Sequence, residues 1–329
     1  MERFTFIDLF AGIGGFRLAF EELGGKCVFS SEIDKYAIQT YKANFGDEAI
    51  YGDITQESVK SQIPQDFDIL CGGFPCQAFS IIGHKRGFQD TRGTLFFEIA
   101  DILDRHHPKA FLLENVKGLT FHNKGNTLKV ILSVLRDLGY YVPDPQVLNS
   151  FDYGVPQRRN RVYIVGIRED IAGKENFKYP DPVPEDQRKV LRDIIEENPV
   201  HKKYYYSDVS MDFFKDYTER MQSKGNGYKA EVRPLDEPAM TITVGGAWER
   251  CNIIHDPRIT DFTPHRQKGP ISKRCLRKFT PRESARVQGF PDTFKIPVSD
   301  TRAYKQFGNS VSVPVVRMVG EEILKVLDI

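Results

Sequence analysis

Short apolar runs alternate with amphipathic helical patterns through the first half of the 329-residue sequence. Residues 4–9 form one such run, which ends in a glycine turn and leads directly into a helical pattern. Further apolar runs occupy 26–30, 67–71, 110–113 and 162–167. Strands that alternate with helices are joined by crossover connections, so this order predicts an α/β fold. We expect a mostly parallel sheet with helices on both faces.

The pattern changes near residue 180, where prolines cluster within 180–184 and the alternation fades. An apolar stripe at helical spacing returns at 313–327 and needs a core to cover it. The sequence therefore predicts three segments. Residues 1–180 form the main α/β domain, 181–280 form a smaller irregular or β-rich domain, and 281–329 form a hinge and a C-terminal helix that returns to the first domain.

Composition narrows the class of protein further. No stretch approaches the roughly 18 consecutive apolar residues of a membrane helix, and the N-terminus has no signal-peptide pattern. The five cysteines contain no Cys-x-x-Cys pair, so neither a disulfide framework nor a zinc site is predicted. We expect reduced thiols, a cytoplasmic location, no metal and no membrane partner.

The net charge of +1 conceals a basic segment. Between Arg258 and Arg286 lie seven further Lys or Arg residues, against only Asp261 and Glu283. A segregated basic segment in a nearly neutral protein is either a solvated surface or a face that contacts phosphates. Composition leaves both interpretations open.

Carboxylates stand at the ends of several predicted strands. Glu32 ends the second strand, Asp53 follows the third, and Glu114 ends a later one. Because ligands collect at the carboxyl ends of parallel strands, we expect these residues to surround one site. Glu32 is suited to both hydroxyls of a ribose, and Asp53 to an adenine amino group. Ordinary solvated or capping carboxylates are the alternative for each.

The turn after the first strand permits close approach of a ligand to the backbone at Gly12 and Gly14. It departs from a dinucleotide-binding motif, because Arg17 stands where the third glycine belongs. A purely structural turn is the alternative interpretation.

Cys76 is the candidate nucleophile. It follows Pro75 in a turn bounded by glycines, whereas Cys27 and Cys71 are interpreted as small buried hydrophobic residues. An ordinary thiol has a pKa near ~8.5 and needs a cationic neighbour to react, a role suited to Arg159 and Arg161. A cysteine and the Glu114 carboxyl beside a cofactor pocket indicate covalent activation of an electron-poor ring.

Six blocks of this sequence resemble, in order, the motifs of the DNA (cytosine-5) methyltransferases. The blocks are Phe10-Ala11-Gly12-Ile13-Gly14-Gly15, Gly73-Phe74-Pro75-Cys76-Gln77, Glu114-Asn115-Val116, Gln157-Arg158-Arg159-Asn160-Arg161, Arg282-Glu283-Ser284-Ala285-Arg286 and Gly308-Asn309-Ser310-Val311. The resemblance runs from the first strand to the C-terminal helix, apart from a variable segment, and is closest to the short bacterial enzymes of the HhaI type.

The resemblance implies an S-adenosylmethionine-dependent, Rossmann-like methyltransferase that acts on double-stranded DNA, with 181–280 as its target-recognition domain. Cys76 would attack C6 of a flipped-out cytosine, Glu114 would contact the ring, Arg161 would hold the base or its phosphate, and Asn115 would support the loop. The implied cofactor residues are Phe10, Ala11, Gly12, Gly14, Glu32, Ile33, Asp53, Ile54, Pro75, Leu95, Asn309 and Ser310. The implied DNA contacts are Gln77, Ser80, Ile82, Arg92, Arg159, Thr241, Trp248 and Arg250.

One residue departs from the family pattern, since Ile82 replaces the small polar residue of HhaI-type loops. For Trp248, local packing is the alternative to a groove contact. The family further implies a monomer in a restriction–modification system with a cognate restriction endonuclease. Three other functions are alternatives: an RNA-directed relative, a nicotinamide oxidoreductase and a catalytically silent DNA-binding protein. The missing third glycine opposes the second, and the intact Cys76 and Glu114 oppose the third.

Overall fold

The computed structural model describes residues 2–46, 50–74, 95–225, 229–244, 250–265 and 269–329. The chain forms two compact units. The first comprises Met1–Asn149, Asn160–Pro182 and Ser310–Ile329, and the second comprises Ser150–Arg159 and Val183–Asn309.

A mixed eight-stranded sheet forms the centre of the described part of the first unit. Its strands are β1 (Phe4–Leu9), β2 (Gly25–Ser31), β3 (Ile50–Tyr51), β4 (Ile69–Gly73), β5 (Ala110–Val116), β6 (Tyr140–Tyr141), β7 (Gln146–Asn149) and β9 (Asn160–Arg168). They lie in the order β3-β2-β1-β4-β5-β9-β6, with β7 also paired to β9. Strands β3, β2, β1, β4 and β5 run parallel, while β9 is antiparallel to β5, β6 and β7. The predicted mostly parallel α/β sheet is thus confirmed.

The described helices of the first unit are α1 (Gly15–Glu22), α2 (Lys35–Phe45), α3 (Glu57–Lys60), α4 (Leu95–His106), α5 (Asn126–Asp137) and the C-terminal α9 (Val313–Leu327). All but the short α3 contain buried residues. Helices α4 and α5 bury isoleucines and leucines that join the apolar core beside β1, β4 and β5. Gly320 lies so close to α1 that a Cβ there would stand 2.9 Å from Leu23 and 3.3 Å from Phe20, so the C-terminal helix packs tightly on α1.

Local sequence explains two helix starts at the carboxyl edge of the sheet. Asp34 accepts hydrogen bonds from the N–H groups of Tyr36 and Ala37, so it is the N-cap of α2, as predicted. Gly14 has φ 86° at the start of α1, and a Cβ there would stand 2.3 Å from the Phe45 ring. Only glycine satisfies both conditions.

The second unit is irregular. Its described strands are only two residues long: β8 (Gln157–Arg158), β10 (Ala239–Met240), β11 (Ile254–His255) and β12 (Leu276–Arg277). Its helices are α6 (Asp208–Gln222), α7 (Pro281–Val287) and α8 (Asp300–Asn309). Helix α6 was not foreseen from the sequence. Its start is fixed by Ser207, whose hydroxyl accepts from the N–H of Ser210.

Much of the predicted basic segment is turned inward or neutralised. Arg277 is fully buried, where it pairs with Asp256 at 2.8 Å and with Glu283 at 2.7 Å. Arg258 pairs with the same aspartate. The interpretation of the segment as one phosphate-contacting face therefore does not hold for Arg258 and Arg277, because both pair with buried carboxylates. Lys273 and Arg274 remain exposed.

The boundaries of the two units differ from the three predicted segments. Residues 150–159 belong with the second unit rather than the first domain, and 281–309 belong with it rather than with a hinge. Side-chain hydrogen bonds account for this, since Gln157 donates to Val287 O and to Gln288 Oε1. Among the described residues, no helix is long and apolar enough to cross a membrane.

Candidate active site

The carboxyl ends of five strands meet along one edge of the first unit's sheet. Leu9 pairs with Ser31 and with Gly72, Ser31 pairs with Tyr51, and Gly73 pairs with Glu114. The residues that follow these positions therefore lie side by side. The convergence expected from the sequence is present.

Glu32 organises the glycine turn at this edge. One carboxylate oxygen accepts from the N–H of Gly12 at 2.8 Å, and the other accepts from the N–H groups of Ile33 and Asp34, each at 2.8 Å. Phe10 and Gly12 have φ values of 59° and 56°, so the backbone turns sharply between strand and helix.

This edge fits the adenosine portion of S-adenosylmethionine in three respects. Nothing lies within 4 Å of the position of a Cβ on Gly12, so a ligand can approach the backbone there. Glu32 accepts three N–H groups, and a carboxylate has about four acceptor positions, which leaves capacity for a hydroxyl. Ile33 is 73% exposed and offers an apolar surface to a flat ring.

The Asp53 carboxylate, which follows β3 at this edge, stays ionised. Donation from the N–H and hydroxyl of Thr55 holds the pKa of Asp53 below its usual value, which keeps it a hydrogen-bond acceptor. Ile54 and Ala11, both in the predicted cofactor set, have buried side chains.

Glu114 and Arg161 form the charged pair at the end of β5. The Arg161 Nε lies 3.0 Å from Glu114 Oε1, with only 13% and 11% of the two side chains exposed. The pair arises from register, because the antiparallel β9 places Arg161 opposite Val116, two residues from Glu114. The arginine neutralises a buried carboxylate and orients its oxygens.

Asn115 joins β5 to the segment that carries the predicted nucleophile. Its Nδ2 donates to the carbonyl of Phe74 at 2.8 Å, and its Oδ1 accepts from the N–H of Val116. A Cβ on Gly73 would stand 3.9 Å from Glu114 Oε2, so this strand end closely faces the carboxylate. The chain is thus anchored beside Glu114 immediately before Pro75 and Cys76.

Comparison with known proteins agrees with this geometry. The family model of the C-5 cytosine-specific DNA methylases matches residues 4–325. The chain belongs to this family. It is a DNA (cytosine-5) methyltransferase, its methyl donor is S-adenosylmethionine, and its substrate is DNA.

Two bacterial relatives are similar over nearly their whole lengths. The type II methyltransferase M.HpaII of Haemophilus parainfluenzae is 57% identical, over 99% of this chain and 90% of the relative. M.HhaI of Haemophilus parahaemolyticus is 41% identical, over 97% and 93%. The fold also matches the S. pombe Dnmt2 methyltransferase, with a TM-score of 0.76, 20% identity and 99% coverage of both chains.

The predicted site residues of the methyltransferase have different outcomes. Within the first unit the structure brings most of the cofactor set to one edge, and Leu95 begins α4. Asn309 is exposed at the end of α8 in the second unit, whereas Ser310 belongs to the first. The predicted residues outside the described part of the chain are Pro75, Cys76, Gln77, Ser80, Ile82, Arg92 and Trp248.

One predicted DNA contact requires correction. Arg159 is 2% exposed, and its Nη1 and Nη2 donate to the carbonyls of Ile242 and Gly308, so it supports the protein interior instead of reaching DNA. Arg250 is partly buried, with its guanidinium 4.6 Å from the Tyr217 ring centroid in α6. Thr241 is half-buried, and its hydroxyl donates to the carbonyl of Arg158.

A buried polar cluster beneath the glycine turn was missed. Asp8 in β1 is fully buried, and burial raises its pKa well above the usual value. Nearby, the hydroxyls of Ser30 and Tyr41 lie 2.5 Å apart, and Arg17 donates to Tyr41 at 3.0 Å. The available signal was an aspartate inside an otherwise apolar strand. Cys27 and Cys71 are buried, as predicted, and burial raises the pKa of Cys27 to about 11.

Proposed function

We propose that this methyltransferase modifies cytosine by covalent catalysis, with Cys76 as nucleophile and Glu114, Arg161 and Asn115 as its partners. The supporting observation is the 2.8 Å hydrogen bond from Asn115 to the carbonyl of Phe74. Cys76 is two residues further along, and two residues of chain span at most about 7 Å. The backbone that leads to Cys76 is therefore anchored at Phe74, beside Glu114.

The chemistry follows from these groups. The Cys76 sulfur attacks C6 of the cytosine, and the electron pair of the 5,6 double bond moves to C5. Glu114 contacts N3 and the exocyclic amine, where it stabilises the charge that develops in the ring. When bound, S-adenosylmethionine supplies an electrophilic methyl group on a sulfonium. After methylation, loss of the C5 proton and departure of the sulfur restore the aromatic ring.

Arg161 acts on both sides of this scheme. Its ion pair orients Glu114 before the base arrives, and its remaining donors can hold the base or its phosphate. The reacting carbon is inaccessible in a stacked duplex, so the cytosine is flipped out of the helix before attack.

The wider setting rests on the relatives. We propose a type II enzyme of a restriction–modification system, because M.HpaII and M.HhaI carry the name type II methyltransferase. It would act as a monomer in the cytoplasm, alongside a cognate restriction endonuclease. Residues 181–280 would read the target sequence, with Thr241 among the contacts.

Bisulfite sequencing of DNA from a host that expresses the chain tests the activity. We expect protected cytosines in one short sequence context, which also identifies the target. An absence of modified cytosine in any context, despite folded protein, contradicts the proposal.

Cys76→Ser tests the nucleophile. We expect methylation to be abolished while S-adenosylmethionine binding, measured by calorimetry, is retained, because the hydroxyl is a far weaker nucleophile. Cys275→Ser, in the second unit, is the matched control and should retain activity. Trapping on DNA that contains 5-fluorocytosine should yield a covalent adduct with the wild-type chain and with Cys275→Ser, but not with Cys76→Ser. Turnover by Cys76→Ser would show that another residue is the nucleophile.

A further inference from the structure

The backbone of Thr241 and Ile242 is held by side chains from the Gln157–Arg159 segment. Gln157 Oε1 accepts from the N–H of Ile242 at 2.8 Å, and Arg159 Nη1 donates to the carbonyl of Ile242 at 3.0 Å. The backbone N–H and C=O of Ile242 are thus both satisfied, by two side chains that are themselves buried. Strand β10, which precedes this segment, also pairs with β8.

The same side chains are anchored elsewhere in the second unit. Arg159 Nη2 donates to the carbonyl of Gly308 at 3.1 Å, and Gln157 Nε2 donates to Val287 O and Gln288 Oε1. Gln288 in turn donates to the carbonyl of Phe307 at 2.7 Å. A planar guanidinium that spans two carbonyls fixes their separation and their relative orientation.

Gly308 restrains the next residues from the other side. A Cβ on Gly308 would stand 2.6 Å from the carbonyl carbon of Thr243 and 2.9 Å from the nitrogen of Val244. Contacts of that length are not tolerated, so the glycine permits the backbone of 243–244 to pack directly on α8. The side chains at this point face outward, since Thr243 is exposed and Val244 is 54% exposed.

We propose that Gln157, Arg159 and Gly308 are positioning residues for target recognition. They hold Thr241–Val244 in one backbone geometry, from which the exposed side chains of 243 and 244 meet the DNA. This inference rests on the proposed role of the variable segment in reading DNA. Its consequence is that loosening these contacts relaxes the choice of target sequence and leaves the methyl-donor site, in the first unit, unaffected.

The test compares target discrimination in variants of these positioning residues. Discrimination is the ratio of kcat/KM on the methylated sequence, once bisulfite sequencing has identified it, to kcat/KM on its single-base variants. Arg159→Lys keeps the charge but loses the planar guanidinium that donates to two carbonyls at once. Gly308→Ala adds a methyl group against Thr243. We expect each to lower the ratio about tenfold or more, because a wrong base pair is no longer rejected by a fixed contact. The affinity for S-adenosylmethionine should stay within twofold.

Partial unfolding cannot imitate this result, because loss of active protein lowers kcat/KM equally on all DNA sequences. Arg192→Lys, an exposed arginine of the same unit, is the matched control and should leave the ratio unchanged. Hydrogen exchange on the wild-type chain gives a measurement that needs no variant. The amide of Ile242 should be protected, since Gln157 accepts its hydrogen bond.

Two results would overturn the proposed positioning role. One is an unchanged ratio in both Arg159→Lys and Gly308→Ala, and the other is exchange at Ile242 as fast as in an open loop. These differ from failure of the proposed function, in which the wild-type chain itself methylates no DNA.

Discussion

At the scale of single residues, burial and partner decide what a charged side chain does. Arg161 pairs with the Glu114 carboxylate at the carboxyl edge of the sheet. Arg159, two positions earlier, points to backbone carbonyls in the interior. The two arginines belong to the same motif, and in one regular strand residues two apart would share a face. Here Arg159 lies between the end of β8 at Arg158 and the start of β9 at Asn160, so the chain is not one continuous strand and the two side chains enter different surroundings.

Glu114→Gln removes the carboxylate and weakens the pair with Arg161. We expect kcat for methylation to fall about 10²–10⁴-fold, because the amide neither transfers a proton nor stabilises charge on the ring. Single-turnover methylation measures this, and calorimetry should show unchanged S-adenosylmethionine binding. Glu175→Gln, an exposed glutamate of the same unit, is the control. Wild-type kcat in Glu114→Gln would remove this residue from the mechanism.

Asp8 predicts a pH dependence of stability. Burial raises its pKa, and the nearby Arg17 lowers it by less, so the folded state binds a proton that the unfolded chain releases above about pH 4. The folded state should therefore lose stability as pH rises from there through the raised pKa. Asp8→Asn mimics the neutral acid, so it should be at least about 1 kcal/mol more stable than wild type at pH 8.

Urea unfolding at pH 8 and pH 4 measures this difference. The advantage of Asp8→Asn should almost disappear at pH 4, where the wild-type carboxyl is protonated in the folded state and about half protonated in the unfolded chain. A variant that is less stable than wild type at pH 8 would show that Asp8 is ionised in the fold.

At the scale of elements, caps and buried pairs fix where the short helices begin. Helix α7 starts at a capping box, in which Thr280 Oγ1 accepts from the N–H of Glu283 and the Glu283 carboxylate accepts from the N–H of Thr280. The same carboxylate pairs with Arg277. One glutamate therefore links the start of α7 to β12.

Thr280→Ala should destabilise the second unit by about 1–2 kcal/mol, because loss of the cap hydroxyl leaves the buried N–H of Glu283 without its acceptor. The threonine hydroxyl also donates a hydrogen bond to the Glu196 carboxylate, and the loss of that bond adds to the destabilisation. Thr280→Ser keeps the hydroxyl and should cost far less. Chemical unfolding monitored by circular dichroism compares the three proteins, and equal stability of all three would contradict the role of the cap.

At the scale of the whole molecule, a net charge of +1 gives little general attraction to a polyanion. Affinity for DNA must then come from local groups, and Arg258 and Arg277 of the basic segment are engaged with internal carboxylates. Lys273 and Arg274 are the exposed pair that remains among its described residues.

Lys273→Gln combined with Arg274→Gln should flatten the salt dependence of DNA binding. If both contact phosphates, the slope of log K against log salt should fall in magnitude by about 1–2, since each contact releases nearly one counterion. Fluorescence anisotropy over a range of salt concentrations measures it. Lys325→Gln, in the C-terminal helix, should leave the slope unchanged. An unaltered slope in the double variant would place both residues away from the DNA.

The sequence alone was sufficient for the sheet, the glycine turn and the carboxylates at its edge. Apolar periodicity, a proline–cysteine turn and glycines at positive φ are local signals, and their consequences are local. The strand order brings Glu32, Asp53 and Glu114 to one edge because parallel strands must place their carboxyl ends together.

Only the tertiary structure decided which basic side chains are exposed to solvent and which are buried and support the interior. Arg159 depends on Ile242 and Gly308, and Arg277 depends on Asp256 and Glu283. These partners lie mostly in distant parts of the chain, so no local pattern marks the arginine that will be buried. A guanidinium is chemically suited to a phosphate, a carboxylate or a pair of carbonyls, and the fold determines which of these it meets.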